Sequence, residues 1–406
     1  LSEFYNCETI IQKLRKKFKL NPFMKAYSYK LTNGIKEMET NPEGLGFQDS
    51  ELIICFGNKD QFIKHEIYDL LQETHKNANI VLCSTAGEIY NNEVCDNTIV
   101  VNGLHFENTP VKFSSLNISE AQNSFDAGLK LIKKLDCENL KYVFVLSDGN
   151  LVNGSELVNG MQSCCDGKIL ITGGLAGDGA NFISTLVGLN QQPKEGMLVA
   201  VGFYGDSIEI GHGSNGGWES FGIERTVTKS LDNILYEIDG KNALELYKNY
   251  LGKYAEELPG SALLFPLSVK LKGSNEEMVR TILSVDEKSS SMTFAGDIPQ
   301  GSSVRFMKAN IDRLVDASYQ AAENAKKSLN QNEPVFAVLI SCVGRKLIFG
   351  NRIDEEVEAV KNVFGKNTVT SGFYSYGEVC PNNGFHHCQL HNQTMTITTF
   401  FEKNHE

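Results

Sequence analysis

The sequence predicts a mixed α/β fold (α+β in places) of duplicated layered modules, with parallel and antiparallel strands in the same sheets and many β-hairpins. Three observations predict it. First, one phrase occurs three times: a short apolar strand, a helical stretch, then a second strand that stops at glycine followed by a carboxylate. The first strands are 52–57, 142–149 and 335–344. The stops read Cys83-Ser-Thr-Ala-Gly87-Glu88, Thr172-Gly-Gly-Leu-Ala-Gly177-Asp178 and Ser371-Gly-Phe-Tyr-Ser-Tyr-Gly377-Glu378. Second, the distance from first-strand glycine to stop glycine is 30 residues (57 to 87), 28 (149 to 177) and 33 (344 to 377). Near-equal spacing marks one supersecondary unit used repeatedly. Third, Val111–Ile118 before a helix at 119–134 parallels Val304–Ile311 before a helix at 312–328, so the two halves read as distant copies of one module.

The elements follow in order. Residues 8–19 form an amphipathic helix, with Ile10, Ile11, Leu14 and Phe18 on one stripe and five basic residues elsewhere. Docking onto the domain suits so short a stripe better than lying on a membrane surface. The first repeat has helix 60–77 and strand 80–84, then strands at 98–106 and 110–116. The second repeat leads to strands 182–189 and 197–204, joined by Gly/Asn/Asp turns that indicate hairpins. A strand over 206–212 and the glycine-rich 211–217 turn follow. Helix 241–251 and strands at 262–270, 279–286 and 291–295 lie beyond a boundary near 220–230. Helices alternating with mixed strands argue for α/β layers.

Bulk properties narrow the function. A chain of 406 residues suits two or three domains with proper cores. The net charge of −12 argues against nucleic acid as a partner. Ten cysteines, dispersed except for Cys164–Cys165, read as reduced cytosolic usage, mostly as small core residues. No apolar stretch approaches the length that spans a bilayer, so a soluble, cytoplasmic protein is expected. The chain begins at Leu1 rather than methionine, which implies that its natural start lies upstream.

Several chemistries are absent. Gly173–Gly179 lacks the lysine of a P-loop and the Gly-x-Gly-x-x-Gly spacing, and a β-prone run follows where a helix N-terminus would be needed. Its glycines read instead as a tight crossover and close packing. Neither a Gly-x-Ser-x-Gly elbow nor His-Glu-x-x-His occurs. Asp178 and Glu378 at strand ends read as turn formers or ligand anchors rather than an acid/base pair, so no enzyme and no catalytic residue are expected. Cys380, His386, His387 and Cys388 carry metal-ligand chemistry, but adjacent extended residues alternate faces, and an exposed hairpin tip is the competing reading.

A set of motifs runs along the chain: Gly173-Gly-Leu-Ala-Gly-Asp178, Gly216-Gly-Trp218, Val227–Ser230 with Glu237–Ala243, Ser341-Cys-Val-Gly-Arg345, Gly372–Glu378 and His391-Asn392-Gln-Thr-Met-Thr396. In kind and order the set resembles the FIST sensory domain. The resemblance implies an N-terminal extension at 1–24, a FIST N domain at 25–222 and a FIST C domain at 223–406. It further implies a bacterial sensory protein that binds an amino acid or similar metabolite. The signal would pass to a separate histidine kinase, chemoreceptor or cyclic-di-GMP enzyme. A subgroup of relatives resembles haem-based nitric-oxide sensors, which leaves a non-covalent haem b open, with His391 or His212 as axial ligand.

Residue chemistry suits a small polar ligand. Arg345 could fork onto a carboxylate, Tyr374, Tyr376 and Trp218 could form walls, and Glu378 or Asp178 could take an ammonium group, with His391 and Asn392 nearby. Each has a structural alternative: Arg345 paired with Glu378, Trp218 plugging the core, and His391-Asn-Gln-Thr satisfying local backbone groups. The ligand is expected near the last stop, between Arg345, Glu378 and His391.

Overall fold

The computed structural model describes residues 23–164, 169–258, 260–273, 277–330, 332–381 and 387–403. The 8–19 helix, Cys165 and His386 lie outside these residues.

The three repeats become three modules, each centred on a parallel strand pair: Leu52–Gly57 with Asn79–Ser84, Leu140–Ser147 with Leu170–Leu175, and Phe336–Cys342 with Val369–Ser375. An antiparallel strand flanks each pair: Ile99–His105, Met197–Tyr204 and Met395–Glu402 respectively. Next come Lys25–Thr32, Val111–Asn117 and Ile208–Asn215. Helices cover the outer faces, notably Ser124–Lys133 and Gly154–Gln162 in module two and Ile311–Lys327 and Ile353–Phe364 in module three.

The stops hand the chain from one module to the next. After Gly87, Glu88–Tyr90 pairs with Val369–Ser375 of module three. After Gly377, Gly377–Pro381 pairs with Leu170–Leu175 of module two. After Asp178, Val187–Leu189 pairs with Asn79–Ser84 of module one. Each sheet is thus completed by a strand from another module, in a closed ring of three.

Strand alternation explains why the ring closes on one core. Leu52, Ile54 and Phe56, with Tyr142, Phe144 and Leu146, and Phe336, Val338 and Ile340, occupy every second position of the three first strands and share one buried cluster. The ring requires close backbone approach where it crosses. A Cβ on Gly177 would lie 2.8 Å from the Ala86 nitrogen, and one on Gly173 (φ 151°) would lie 1.9 Å from the Val145 carbonyl oxygen. The glycines of 173–177 are therefore packing devices.

A fourth, antiparallel sheet is inserted between Ile208–Asn215 and Ile311–Lys327. Its strands are Leu267–Lys270, Glu277–Arg280, Ser303–Lys308, Glu219–Leu231, Ile234–Ile238, Ile282–Asp286 and Ser291–Phe294, with a short Lys241–Asn242 strand. Helix Ala243–Leu251 buries Leu244, Tyr247 and Leu251 against it. The strand around Val304 therefore belongs to the insert. The module-three counterpart of Val111–Asn117 is Ile208–Asn215, which pairs with Met395–Glu402. Three further expectations change. Helix 60–77 breaks into Lys59–Lys64 and Ile67–Thr74 at Glu66, which has φ 46°. The start of 182–189 is not a strand, because the Asp178 carboxylate accepts the N–H groups of Phe182, Ile183 and Ser184 that a ladder would use. Cys55, Cys83, Cys342, Cys380 and Cys388 are buried free thiols, as expected, but Cys137 is disulfide-bonded. Among the described residues no helix is long and apolar enough to cross a membrane.

Candidate functional site

Where the insert leans on the ends of modules two and three, the structure encloses a cavity of about 740 Å³, within the range of small-molecule sites. Module two supplies the Gly149–Gly154 loop after its first strand, together with Leu175, Phe182 and Ile183. Module three supplies Cys342, Val343, Gly344, Tyr376 and Asn392. The insert supplies Asn233, Gly260, Leu263, Thr281–Leu283 and Phe294–Gly296.

Local chemistry fixes these walls. Asp148 accepts from the N–H groups of Asn150 (2.8 Å), Leu151 (2.7 Å) and Gly196 (2.9 Å), which folds the 149–154 loop over the strand end. Asn153 then caps helix Gly154–Gln162 by accepting from the Glu156 N–H. On the other side, Tyr376 donates to Asp178, and its ring stacks on Phe182 with centroids 4.5 Å apart. Asp178 also sits 3.4 Å from the Lys59 ammonium. Burial pushes the Asp178 pKa up. The hydrogen bonds from Tyr376, Ser184 and Ile183, with the Lys59 charge, outweigh that and hold it below the usual carboxylate value.

The floor is the 391–394 turn. Asn392 is buried in the cavity wall, and neither its amide oxygen nor its amide nitrogen has a hydrogen-bond partner among the described residues. Thr281, in the insert's wall of the cavity, has a hydroxyl that is shielded from solvent and without a hydrogen-bond partner among the described residues. Next in the chain, the Gln393 carbonyl accepts the Trp218 indole N–H at 2.8 Å. The Gln393 amide donates to the Leu263 carbonyl of the insert at 3.4 Å.

The expected site is thereby divided. Tyr376 and Asn392 line the cavity, Asp178 sits one layer behind Tyr376, and Trp218 touches the floor turn from outside. Arg345 goes elsewhere. Fully buried at the start of helix Val343–Phe349, it donates to Glu356 (2.7 Å), the Gly216 carbonyl (2.6 Å), and the Leu314 carbonyl and Ser318 hydroxyl (3.0 Å each). Tyr374 donates to the same Glu356 at 3.0 Å. Arg345 therefore pairs with Glu356 rather than Glu378, and the pair staples helices together instead of holding a carboxylate ligand.

Glu378 is also enclosed. It accepts from the Ser375 hydroxyl (2.8 Å) and from the Thr394 hydroxyl (2.9 Å) and N–H (3.2 Å). Glu88 repeats the arrangement with the Thr85 hydroxyl (2.5 Å) and the Thr98 hydroxyl (2.8 Å) and N–H (3.1 Å). Burial raises Glu378 to about 8 and Glu88 to about 7. Both are latches on crossing strands. Asp178, the third stop, holds a loop instead.

Of the donors expected for a metal, those among the described residues do not converge. Cys380 pairs in register with Gln389 and Cys388 with Pro381, so the two thiols point to opposite faces of their hairpin. His387 is exposed, and among the described residues no group of three or more His, Cys, Asp or Glu side chains is arranged to hold a metal. Haem finds no match in the cavity either. Neither His391 nor His212 lines it, and the His391 Nε2 lies 3.1 Å from the Cys380 carbonyl oxygen. The Cys342 thiol is pushed far up by burial and by Glu378, and Tyr376 is committed to Asp178. Among the described residues no lining side chain is charged to meet propionates, so the described lining does not suit haem.

Sequence reading missed the insert's wall and the 149–154 loop. The loop carried a usable signal, since Asp148-Gly-Asn-Leu-Val-Asn-Gly154 follows an apolar strand directly and ligands favour such ends. Thr281 and Leu283 carry none.

The FIST N domain matches residues 51–241 and the FIST C domain residues 243–381. The chain belongs to the FIST family, whose domains are sensory, small-ligand-binding domains of signal transduction. No curated protein matches the sequence. Among solved structures, a cyanuric acid hydrolase from A. caulinodans aligns at 7% identity over 94% of this chain and 100% of its own, with a TM-score of 0.38. A chorismatase aligns at 10% identity over 93% of this chain and 99% of its own, with a TM-score of 0.33. Likeness at that level says nothing of activity.

Proposed function

We propose that this chain is a sensory protein that binds a small metabolite in the cavity between insert and core and reports occupancy to a separate output protein. The carrying observation is Asn392. A buried amide without hydrogen-bond partners among the described residues is unfavourable in a wall that serves packing alone, and a ligand that draws the amide into the cavity supplies them.

The floor turn offers a route outward. Asn392 adjoins Gln393, which touches the insert through Leu263 and the base of the insert through Trp218. Arg345 anchors that same base at Gly216. A ligand that engages Asn392 and Thr281 together bridges core and insert, and so biases their relative placement. The output partner suggested by family resemblance is a histidine kinase, chemoreceptor or cyclic-di-GMP enzyme in the cytoplasm.

Trp218 is the single tryptophan of the chain, so its emission reports on the floor turn. A metabolite screen by thermal shift should yield compounds that stabilise the protein and also shift Trp218 emission. Ala295→Phe, which fills the cavity, should abolish both responses. Stabilisation that survives Ala295→Phe, or chemical turnover of the compound, would overturn the proposal.

A further inference from the structure

We infer that the ligand is an uncharged molecule with an amide-like donor–acceptor edge and an apolar body. Its edge meets Asn392 and Thr281, and its body lies against the cavity mouth. The inference rests on the cavity being the sensory site.

The first observation is charge. Among the described residues no Asp, Glu, Lys, Arg or His lines the cavity. The charges just behind the wall are already engaged. Asp178 is held by Tyr376, three backbone N–H groups and Lys59. Asp297 accepts from Asn153 at 3.3 Å. Arg280 donates to the Leu390 carbonyl at 3.0 Å and the Asp297 carbonyl at 3.3 Å. An ammonium or carboxylate that sheds its hydration against this wall meets no charged side chain among the described lining residues, so charged ligands are selected against.

The second observation is the form of the unmet polarity. Asn392 lacks a partner for both its acceptor and its donor, and these lie side by side on one planar group. A carboxylate satisfies only the donor and sets two oxygens against each other. An ammonium satisfies only the acceptor. A primary or cis amide satisfies both in a reciprocal pair, and the Thr281 hydroxyl can take either remaining role. The Asn392 amide atoms and the Thr281 hydroxyl are all shielded from solvent, so engaging a ligand edge requires both side chains to turn into the cavity. A site that leaves its own polar groups unpaired with the wrong ligand discriminates strongly.

The third observation is the mouth. Leu151 (56% exposed), Phe182 (43%), Ile183 (76%) and Leu283 (45%) all line the cavity. Four large apolar side chains gathered around one opening form a collar that an apolar ligand body would cover.

The test uses the full chain and displacement of Nile red, an uncharged apolar dye, by octanamide, octanoate and octylamine at neutral pH. These probes share a tail and differ in the head group. Octanamide should displace the dye at concentrations about tenfold lower than either charged probe, the scale of a buried hydrogen-bond mismatch. In Asn392→Leu the dye should still bind while the amide preference collapses. Thr281→Val, a smaller change, should lose part of the preference with the fold intact. Equal or better displacement by octanoate or octylamine overturns the ligand class, as does a preference that survives both substitutions. If the dye does not bind and no probe stabilises the wild-type protein, the cavity itself is not the sensory site, and the ligand class falls with it.

Discussion

Replacing Asn392 with leucine should make the empty protein more stable while spoiling its site. The amide is buried, and both of its polar atoms lack partners among the described residues. Leaving such a group unsatisfied costs about 1–3 kcal/mol, and an apolar side chain of similar shape avoids the cost. The adjoining cavity has room for the extra methyl volume. Asn392→Leu should therefore gain about 1–3 kcal/mol in chemical denaturation without ligand. The unfolding entropy expected for a chain this long makes that roughly 1 °C in Tm per kcal/mol. A stabilising change that destroys binding is the signature of a residue kept for function. A loss of more than about 1 kcal/mol would show that the amide is partnered in the free protein, and would refute the reasoning from unmet hydrogen bonds.

Three further outcomes follow from the geometry. Glu378 is raised from its ordinary 4.5 to about 8, so the unfolded chain releases this proton at lower pH than the folded one. Its contribution to stability is fully present below 4.5 and is lost as pH climbs towards 8. Glu378→Gln should flatten the decline by up to about 1.4 kcal/mol per pH unit in denaturation series across that window. Glu356→Gln leaves Arg345 buried without its counter-ion and should cost about 3–5 kcal/mol by chemical denaturation, while an exposed pair such as Lys36–Glu39 should tolerate Glu39→Gln with little change. Asp178→Asn should loosen the 182–184 loop, seen as faster amide exchange at Phe182, Ile183 and Ser184, because each of their N–H groups donates to that carboxylate.

The repeated strands and stops were legible because they depend on local signals: apolar runs, glycine punctuation and constant spacing. The ring was not. Which sheet edge Glu88–Tyr90 or Val187–Leu189 joins is decided by pairings between residues far apart in the chain, and no local pattern encodes them. The same holds for Val304, whose helix-preceding position matched Val111 while its strand belongs to the insert. Within the site, Tyr376 and Asn392 were legible because they lie on motifs at the last stop. Arg345 was misread because a lone arginine past a strand suggests an anion, and its counter-ion Glu356 is only one of three acids in a row on a helix (Asp354, Glu355, Glu356). Tertiary packing alone chooses among them. Thr281 and Leu283 carry no signal because residues in or between short strands, without glycine or proline nearby, look alike whether they face a cavity or water.

The exchange of strands also constrains how the chain is made. The edge of module two at Leu170–Leu175 is closed by Gly377–Pro381, which leaves the ribosome roughly 200 residues later. Until then that edge is an open hydrogen-bonding template, as is Glu88–Tyr90, which awaits Val369–Ser375. The seam between the two family domains at 241–243 falls inside the inserted sheet, so a message cut there encodes two pieces whose sheets each lack a strand held by the other. Inheritance in this fold is linear, but its assembly is circular. Residues 369–381 are what close the edges left open by the two earlier modules, and chaperone dependence should track that segment.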